Sequence, residues 1–173
     1  MKNISTNING YIEGYYGKLL KWSERYLILK KLYETGFNSY FYCPKEDIYH
    51  RFNWRKKYPK KWCSSFLNFC LTAQKYNINI LAGISPGLDY DFSDDDFDFD
   101  KLLTKSKQLK DYGVDKIVLM FDDIPEKFEK MKIGDYSEGY HHANLVNRLS
   151  KKLGEKIFVV PRVYSDELIN DKN

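Results

Sequence analysis

Short apolar runs alternate with amphipathic segments along most of the chain. The runs are four to seven residues long, which is typical of strands in a sheet. Predicted strands are Gly10–Glu13, Ser39–Cys43, Ile78–Ile84, Lys116–Phe121 and Lys156–Val160. They recur about every 30 to 40 residues, with room for a helix in each interval. Parallel strands need such crossovers, so the pattern predicts a parallel α/β sheet with right-handed connections.

The intervening segments carry apolar residues at helical spacing. Predicted helices run from about Ser23 to Thr35, from Trp62 to Tyr76, from the acidic run Asp94–Asp100 to Tyr112, and from Tyr140 to Leu153. Ser23 is predicted to cap the first helix, and Asp98 or Asp100 the third. Tyr33 is expected on the buried face of the first helix. The acidic run is interpreted as a solvated helix start in preference to a metal site.

Two architectures fit alternating strands and helices. A doubly wound sheet gathers its ligand residues at one switch point, whereas a (β/α) barrel spreads them over many strand ends. All five strand ends here carry unusual chemistry: Glu13-Gly14, Pro44-Lys45-Glu46, Ser85-Pro86-Gly87, Asp122-Asp123, and Arg162 with Tyr164. This distribution favours a barrel. A full barrel takes about 250 residues, so residues 1–173 are expected to form its N-terminal part, an incomplete TIM barrel of about five βα units with no second domain.

Composition and charge narrow the class of protein. The net charge of +4 is modest and does not by itself imply a nucleic-acid partner. Cys43, Cys63 and Cys70 are odd in number and widely spaced, which argues against a disulfide framework and favours a reduced, cytoplasmic protein. Neither a signal core nor a membrane span is found, and no zinc-ligand spacing is present. We therefore expect no membrane association, no metal and no cofactor.

The fourth strand ends in two adjacent carboxylates, Asp122 and Asp123. Two carboxylates about 6 Å apart repel by roughly 3 kcal/mol at an effective dielectric of 20, which corresponds to about two pKa units. One can then stay ionised while the other holds a proton near neutral pH. That division suits acid/base work on a glycosidic bond. The run Asp94–Asp96 shows that acidic clusters also arise here from composition alone.

Five motifs in a fixed order accompany the carboxylate pair. They are Tyr11-Ile12-Glu13-Gly14-Tyr15-Tyr16-Gly17, Asn38-Ser39-Tyr40-Phe41-Tyr42-Cys43-Pro44-Lys45-Glu46-Asp47, His50-Arg51 with Trp54-Arg55 and Tyr58-Pro59, Ile84-Ser85-Pro86-Gly87-Leu88-Asp89, and Phe121-Asp122-Asp123-Ile124. This series resembles the catalytic domain of glycoside hydrolase family 84, the β-N-acetylglucosaminidases that include protein O-GlcNAcase and hyaluronidase-like bacterial enzymes. The resemblance covers about Gly10 to Tyr164.

The resemblance implies a (β/α)₈ barrel that removes terminal β-linked N-acetylglucosamine from a glycan or glycoprotein. The reaction retains configuration and uses the substrate's own 2-acetamido oxygen as nucleophile. Asp122 matches the aspartate that orients the acetamido N–H, and Asp123 matches the general acid/base. Gly14 matches a position whose carbonyl meets a sugar hydroxyl. Lys45 matches a sugar-binding lysine, and Tyr164 a tyrosine near the acetamido pocket.

Simpler interpretations of the same residues remain. Gly14 could be a turn glycine and Lys45 a solvated loop lysine. The basic and aromatic segment Arg51–Lys61 resembles a nucleic-acid patch, although we favour a packed loop over the barrel mouth. His141 and His142 are interpreted as surface or packing residues in preference to catalytic ones.

The family domain continues with strands that carry further sugar-binding residues, and none of these follows within residues 1–173. Three hypotheses result. The chain could be a short N-acetylglucosaminidase whose missing wall comes from a second copy or another chain. It could be a non-catalytic or vestigial carbohydrate-binding half-barrel. It could be a small nucleotide-binding or nucleic-acid-binding α/β domain.

Overall fold

A computed structural model describes residues 7–122 and 136–163. Within them one sheet has five strands in the order β1-β2-β3-β4-β5, and every neighbouring pair is parallel. In chain order the elements are β1 (Gly10–Glu13), α1 (Trp22–Glu34), β2 (Ser39–Tyr42), α2 (Lys60–Lys75), β3 (Asn79–Ile84), α3 (Asp95–Asp111), β4 (Lys116–Met120), α4 (Glu138–Leu153) and β5 (Phe158–Val160).

The two faces of the sheet pack differently because side chains alternate along each strand. One face, with Tyr40, Ile80 and Ile117, shares a single buried cluster with apolar residues of all four helices. The other face carries a separate, smaller cluster of Cys43, Leu81, Val118 and Met120. Sequential strand order with the helices on one face is the arrangement of consecutive βα units in a barrel.

A doubly wound sheet would reverse its strand order and cover both faces with helices. The described residues therefore confirm a parallel α/β sheet of five βα-type strands, consistent with part of a barrel. The predicted extent of the domain, 1–173, stays a prediction.

Helix starts differ from the sequence expectation. Ser23 does not cap α1, because the helix begins at Trp22, where the Glu24 carboxylate accepts the Lys21 N–H at 2.5 Å. Neither Asp98 nor Asp100 caps α3, which begins earlier, at Asp95. Three carboxylates in the first turn of α3 suit the positive end of the helix dipole, so the acidic run is a helix start, as predicted. It is not solvated throughout, because Asp98 is buried.

The packing of two helices differs in part from the prediction for Tyr33. Tyr33 was expected inside but is 57% exposed, and its ring stacks on Tyr76 with a 4.9 Å centroid separation. Cys63 and Cys70 are buried free thiols on the apolar face of α2. Among the helices of 7–122 and 136–163, none is both long and apolar enough to cross a membrane.

Candidate active site at the carboxyl ends of the strands

Strand β4 delivers Asp122 to the carboxyl edge of the sheet. Phe121 is fully buried, and its N–H donates to Val160 O at 2.9 Å, so pairing with β5 continues one residue past β4. The Asp122 side chain is only 13% exposed. Asp123 and Tyr164 lie outside the described residues, so their assigned roles stay predictions.

Asp122 meets Lys45 from the loop after β2. The Lys45 ammonium donates to Asp122 Oδ2 at 2.5 Å, and the lysine side chain is 4% exposed. The interpretation of Lys45 as a solvated loop lysine is therefore wrong: the ammonium compensates the charge of a buried carboxylate. The second oxygen, Asp122 Oδ1, is buried and has no hydrogen-bond partner among the residues described. Within residues 7–122 and 136–163, this oxygen therefore keeps unused acceptor capacity.

Gly14 follows Glu13, which forms a buried ion pair with Arg25. Both carboxylate oxygens of Glu13 accept from the Arg25 guanidinium, at 2.6 and 2.9 Å, and the Tyr40 hydroxyl donates to one of them at 2.6 Å. Gly14 is not in the left-handed region, so it is not a glycine that a turn requires. A Cβ there would lie 3.3 Å from Cys43 Sγ. Gly14 at the end of β1 is thus a tightly packed position beside an anchored residue, and its contact with a sugar stays a prediction.

The loop after β2 is packed around Asp47, a residue that the sequence motifs contained but gave no role. Asp47 is 5% exposed. Its carboxylate accepts from the Tyr42 hydroxyl at 2.6 Å, the Tyr58 hydroxyl at 3.0 Å and the Tyr49 N–H at 2.8 Å. The fully buried Trp54 cannot stack on a base. The packed-loop interpretation is supported over a nucleic-acid patch.

His50 is a second residue whose role sequence reasoning missed, although it stands in the third motif. It is fully buried, and its Nδ1 lies 2.9 Å from Gly83 O. A carbonyl can only accept, so Nδ1 carries the proton. Burial lowers the pKa of His50 to about 4. The ring is thus neutral at physiological pH and lies within electrostatic range of Lys45 and Asp122.

The histidines of α4 have a packing role, as interpreted from the sequence. His142 is 8% exposed and stacks flat on Phe121, with centroids 3.7 Å apart and planes 9° from parallel. Burial lowers the pKa of His142 to about 4. The stack supports the segment from which Asp122 projects. Nearby, Arg162 donates through Nε to both Glu138 oxygens at 2.7 and 2.9 Å, which ties the end of β5 to α4.

A metal role for the acidic run finds no support. Across the part of the chain that the structure describes, no three His, Cys, Asp or Glu side chains are grouped to hold an ion. Asp98 instead accepts from Arg55, and Asp95 and Asp96 accept from Arg148 at 2.6 and 2.7 Å.

Comparison with known proteins gives consistent matches. A sequence profile described as beta-N-acetylglucosaminidase matches residues 9–172. The proteins named Protein O-GlcNAcase of Rattus norvegicus and Mus musculus are each 30% identical over 147 residues, which is 84% of this chain and 16% of each relative. A solved aspartate-to-asparagine mutant of Thermobaculum terrenum O-GlcNAc hydrolase superposes with a TM-score of 0.84 at 28% identity. That match covers 91% of this chain and 35% of the hydrolase. The chain therefore spans a minor part of the relatives it matches.

Proposed function

Because this chain belongs to the β-N-acetylglucosaminidase family of glycoside hydrolases, we propose that it hydrolyses terminal β-linked N-acetylglucosamine on a glycan or glycoprotein. The proposed reaction retains anomeric configuration and passes through an oxazoline, formed when the substrate's acetamido oxygen attacks the anomeric carbon. A well-oriented internal nucleophile can act with an effective molarity of about 10⁵ M or more. The reaction needs no cofactor.

The observation that carries the proposal is the state of the Asp122 carboxylate. Lys45 occupies Oδ2 at 2.5 Å, whereas Oδ1 is buried without a partner among the described residues. A buried, unsatisfied acceptor favours a ligand that brings a donor. The acetamido N–H of the substrate is such a donor, and accepting it would turn the acetamido oxygen towards the anomeric carbon.

The remaining roles follow the family pattern. Asp123 is proposed to protonate the leaving oxygen and then to activate water. The Gly14 carbonyl is proposed to accept from a sugar hydroxyl, with Tyr164 near the acetamido group. Lys45 is proposed to contact a sugar oxygen while it holds Asp122 in place. The three buried free thiols fit a reducing compartment.

Hydrolysis of an aryl N-acetyl-β-glucosaminide tests the proposal, with the oligomeric state measured in the same sample. We expect Asp123→Asn to abolish turnover and Asp122→Asn to reduce kcat by about 10² or more. Asp111→Asn, at an exposed carboxylate of α3, is the matched control and should keep wild-type activity.

Undiminished turnover in Asp123→Asn would remove the acid/base assignment. Binding of a thiazoline inhibitor without any turnover would select a carbohydrate-binding role instead. Salt-sensitive binding of oligonucleotides would select the nucleic-acid hypothesis.

A further inference from the structure

His50 joins the loop that carries Lys45 to strand β3 through two hydrogen bonds. Its carbonyl oxygen accepts the Ser85 N–H at 3.0 Å, and its Nδ1–H donates to Gly83 O at 2.9 Å. Residues two apart on a strand direct their backbone groups to the same edge. His50 therefore continues the hydrogen bonding of β3 beyond the last residue of β2.

Gly83 leaves the space in which the His50 ring lies. A Cβ on Gly83 would be 2.9 Å from His50 Cε1, 2.9 Å from Cys43 Cβ and 2.7 Å from Met120 Sδ. Such distances are shorter than real contacts, so an alanine would displace at least one of these groups. The backbone conformation of Gly83 is not left-handed, so room for these three side chains is what the position requires.

The neighbours of the ring connect it to the site. Cys43 precedes Lys45 by two residues on one side of β3, and Met120 precedes Asp122 by two residues on the other. The ring thus packs where the segments that deliver the ammonium and the carboxylate converge. Being neutral, it adds no second cation beside Lys45. His50 Nε2 has no hydrogen-bond partner among the described residues. Within them, the bond from Nδ1–H to Gly83 O is therefore the hydrogen bond that holds the ring in place.

We propose that His50, packed over Gly83, is a positioning residue that sets the placement of Lys45 against Asp122 and thereby aims Asp122 Oδ1 at the substrate's acetamido N–H. The inference rests on the proposed function. The ring makes no contact with the sugar in this scheme, and its effect reaches the reaction through the Lys45–Asp122 pair. The product keeps the acetamido N–H, but its hydrogen bond to Asp122 strengthens in the transition state, where positive charge develops on the nitrogen. Loss of the His50 tie should therefore weaken transition-state binding more than product binding.

The test compares the affinities of two ligands, the oxazoline-like thiazoline inhibitor and free N-acetylglucosamine, measured by calorimetry. His50→Leu removes the donor to Gly83 O and keeps an apolar side chain. His50→Asn keeps a donor at the position of Nδ1. We expect His50→Leu to weaken thiazoline binding about tenfold, a loss of about 1.4 kcal/mol, with a much smaller change for N-acetylglucosamine. His50→Asn should restore most of the loss.

Kinetics and a spectrum give independent readouts. The same loss in His50→Leu should appear in kcat with little change in KM. Gly83→Ala, which crowds the ring together with Cys43 and Met120, should reproduce it. If these variants do not fold, the ¹⁵N spectrum of the wild-type imidazoles decides. A protected Nδ1–H signal from His50 between pH 5.5 and 7.5 is expected, and an Nε2–H tautomer or a charged ring would overturn the inference.

The two proposals fail in different ways. If wild-type protein neither binds thiazoline nor turns over substrate, the proposed function is wrong and the role of His50 falls with it. If the wild type does both and His50→Leu weakens the two ligands equally, or not at all, only the positioning role is overturned.

Discussion

Single residues at the strand ends differ in what the sequence could reveal about them. Asp122 could be identified from the sequence, because it follows an apolar strand and belongs to one of the five motifs shared with the family. The pairing of Lys45 with Asp122 could not be identified, since the two residues are 77 positions apart in the chain. The roles of His50 and Asp47 were hidden for the same reason, because sequence patterns report local periodicity but not which distant groups meet.

Removal of one partner from the Lys45–Asp122 pair should be costly. Lys45→Met leaves a buried carboxylate without this ammonium, so we expect a loss of about 3 kcal/mol in the free energy of unfolding, measured with urea. The double variant Lys45→Met with Asp122→Asn should lose less than the sum of the single variants, because the two residues interact directly.

Lys116→Met supplies the comparison for this prediction. Lys116 lies at the other end of β4 and pairs with Glu155 at 2.9 Å, where both side chains are more exposed. Its removal should cost about 1 kcal/mol or less. Equal losses from Lys45→Met and Lys116→Met would contradict the importance of burial.

At the scale of elements, the sequence predicted each helix and strand within the described residues. It predicted both ends of β1 and one end of several other elements, and the remaining ends differ by one or more residues. Apolar periodicity follows the core, which fixes the middle of an element. Ends depend on individual hydrogen bonds, such as that of Glu24 at the start of α1. Helix α3 adds a contact that periodicity cannot show. Lys105, on its buried face, donates to Lys56 O at 2.5 Å and lies 3.9 Å from the Tyr58 ring centroid.

Lys105 should make stability depend on pH. Burial lowers the pKa of Lys105 to about 7, against 10.5 for the free side chain. Between these values the unfolded chain binds a proton that the folded chain does not, so the free energy of unfolding rises with pH, by at most about 1.4 kcal/mol per unit. The cost of burying the charge is therefore fully present below pH 7 and decreases above it.

Urea titrations at pH 7 and pH 8 measure this slope. Lys105→Met should flatten the increase, while Lys107→Met, at an exposed position of the same helix, should leave it unchanged. A wild-type slope that Lys105→Met does not alter would show that the ammonium stays charged in the folded protein, supported by its contacts with Lys56 O and the Tyr58 ring.

At the scale of the whole molecule, the described sheet has two edges. Ile12 on β1 is 61% exposed, and Phe158 and Val159 on β5 are 41% and 45% exposed. The strand count and order were predictable from the spacing of apolar runs. The exposure of the edge strands could not be predicted in this way, because it depends on what packs beside β1 and β5. Exposed apolar edge strands favour pairing with another chain.

We therefore expect the protein to associate with itself as its concentration increases, as measured by sedimentation. Ile12→Lys and Val159→Lys should shift the distribution towards monomer, since a charge on an edge strand opposes pairing. Leu27→Lys, at a 67% exposed position on α1, serves as the control and should change nothing. A molecular mass independent of concentration in the wild type would contradict association through the edges.

The sequential order of the sheet has a consequence for how the protein folds. Each strand pairs with the strand that follows it along the chain. The paired residues are about 30 to 40 positions apart, so a loop must close before each parallel contact forms, which slows folding. The units can add one after another as the chain leaves the ribosome. The Lys45–Asp122 pair closes only after β4 has emerged. A nascent chain that ends before β4 would carry Lys45 without Asp122, the carboxylate that pairs with it in the folded protein.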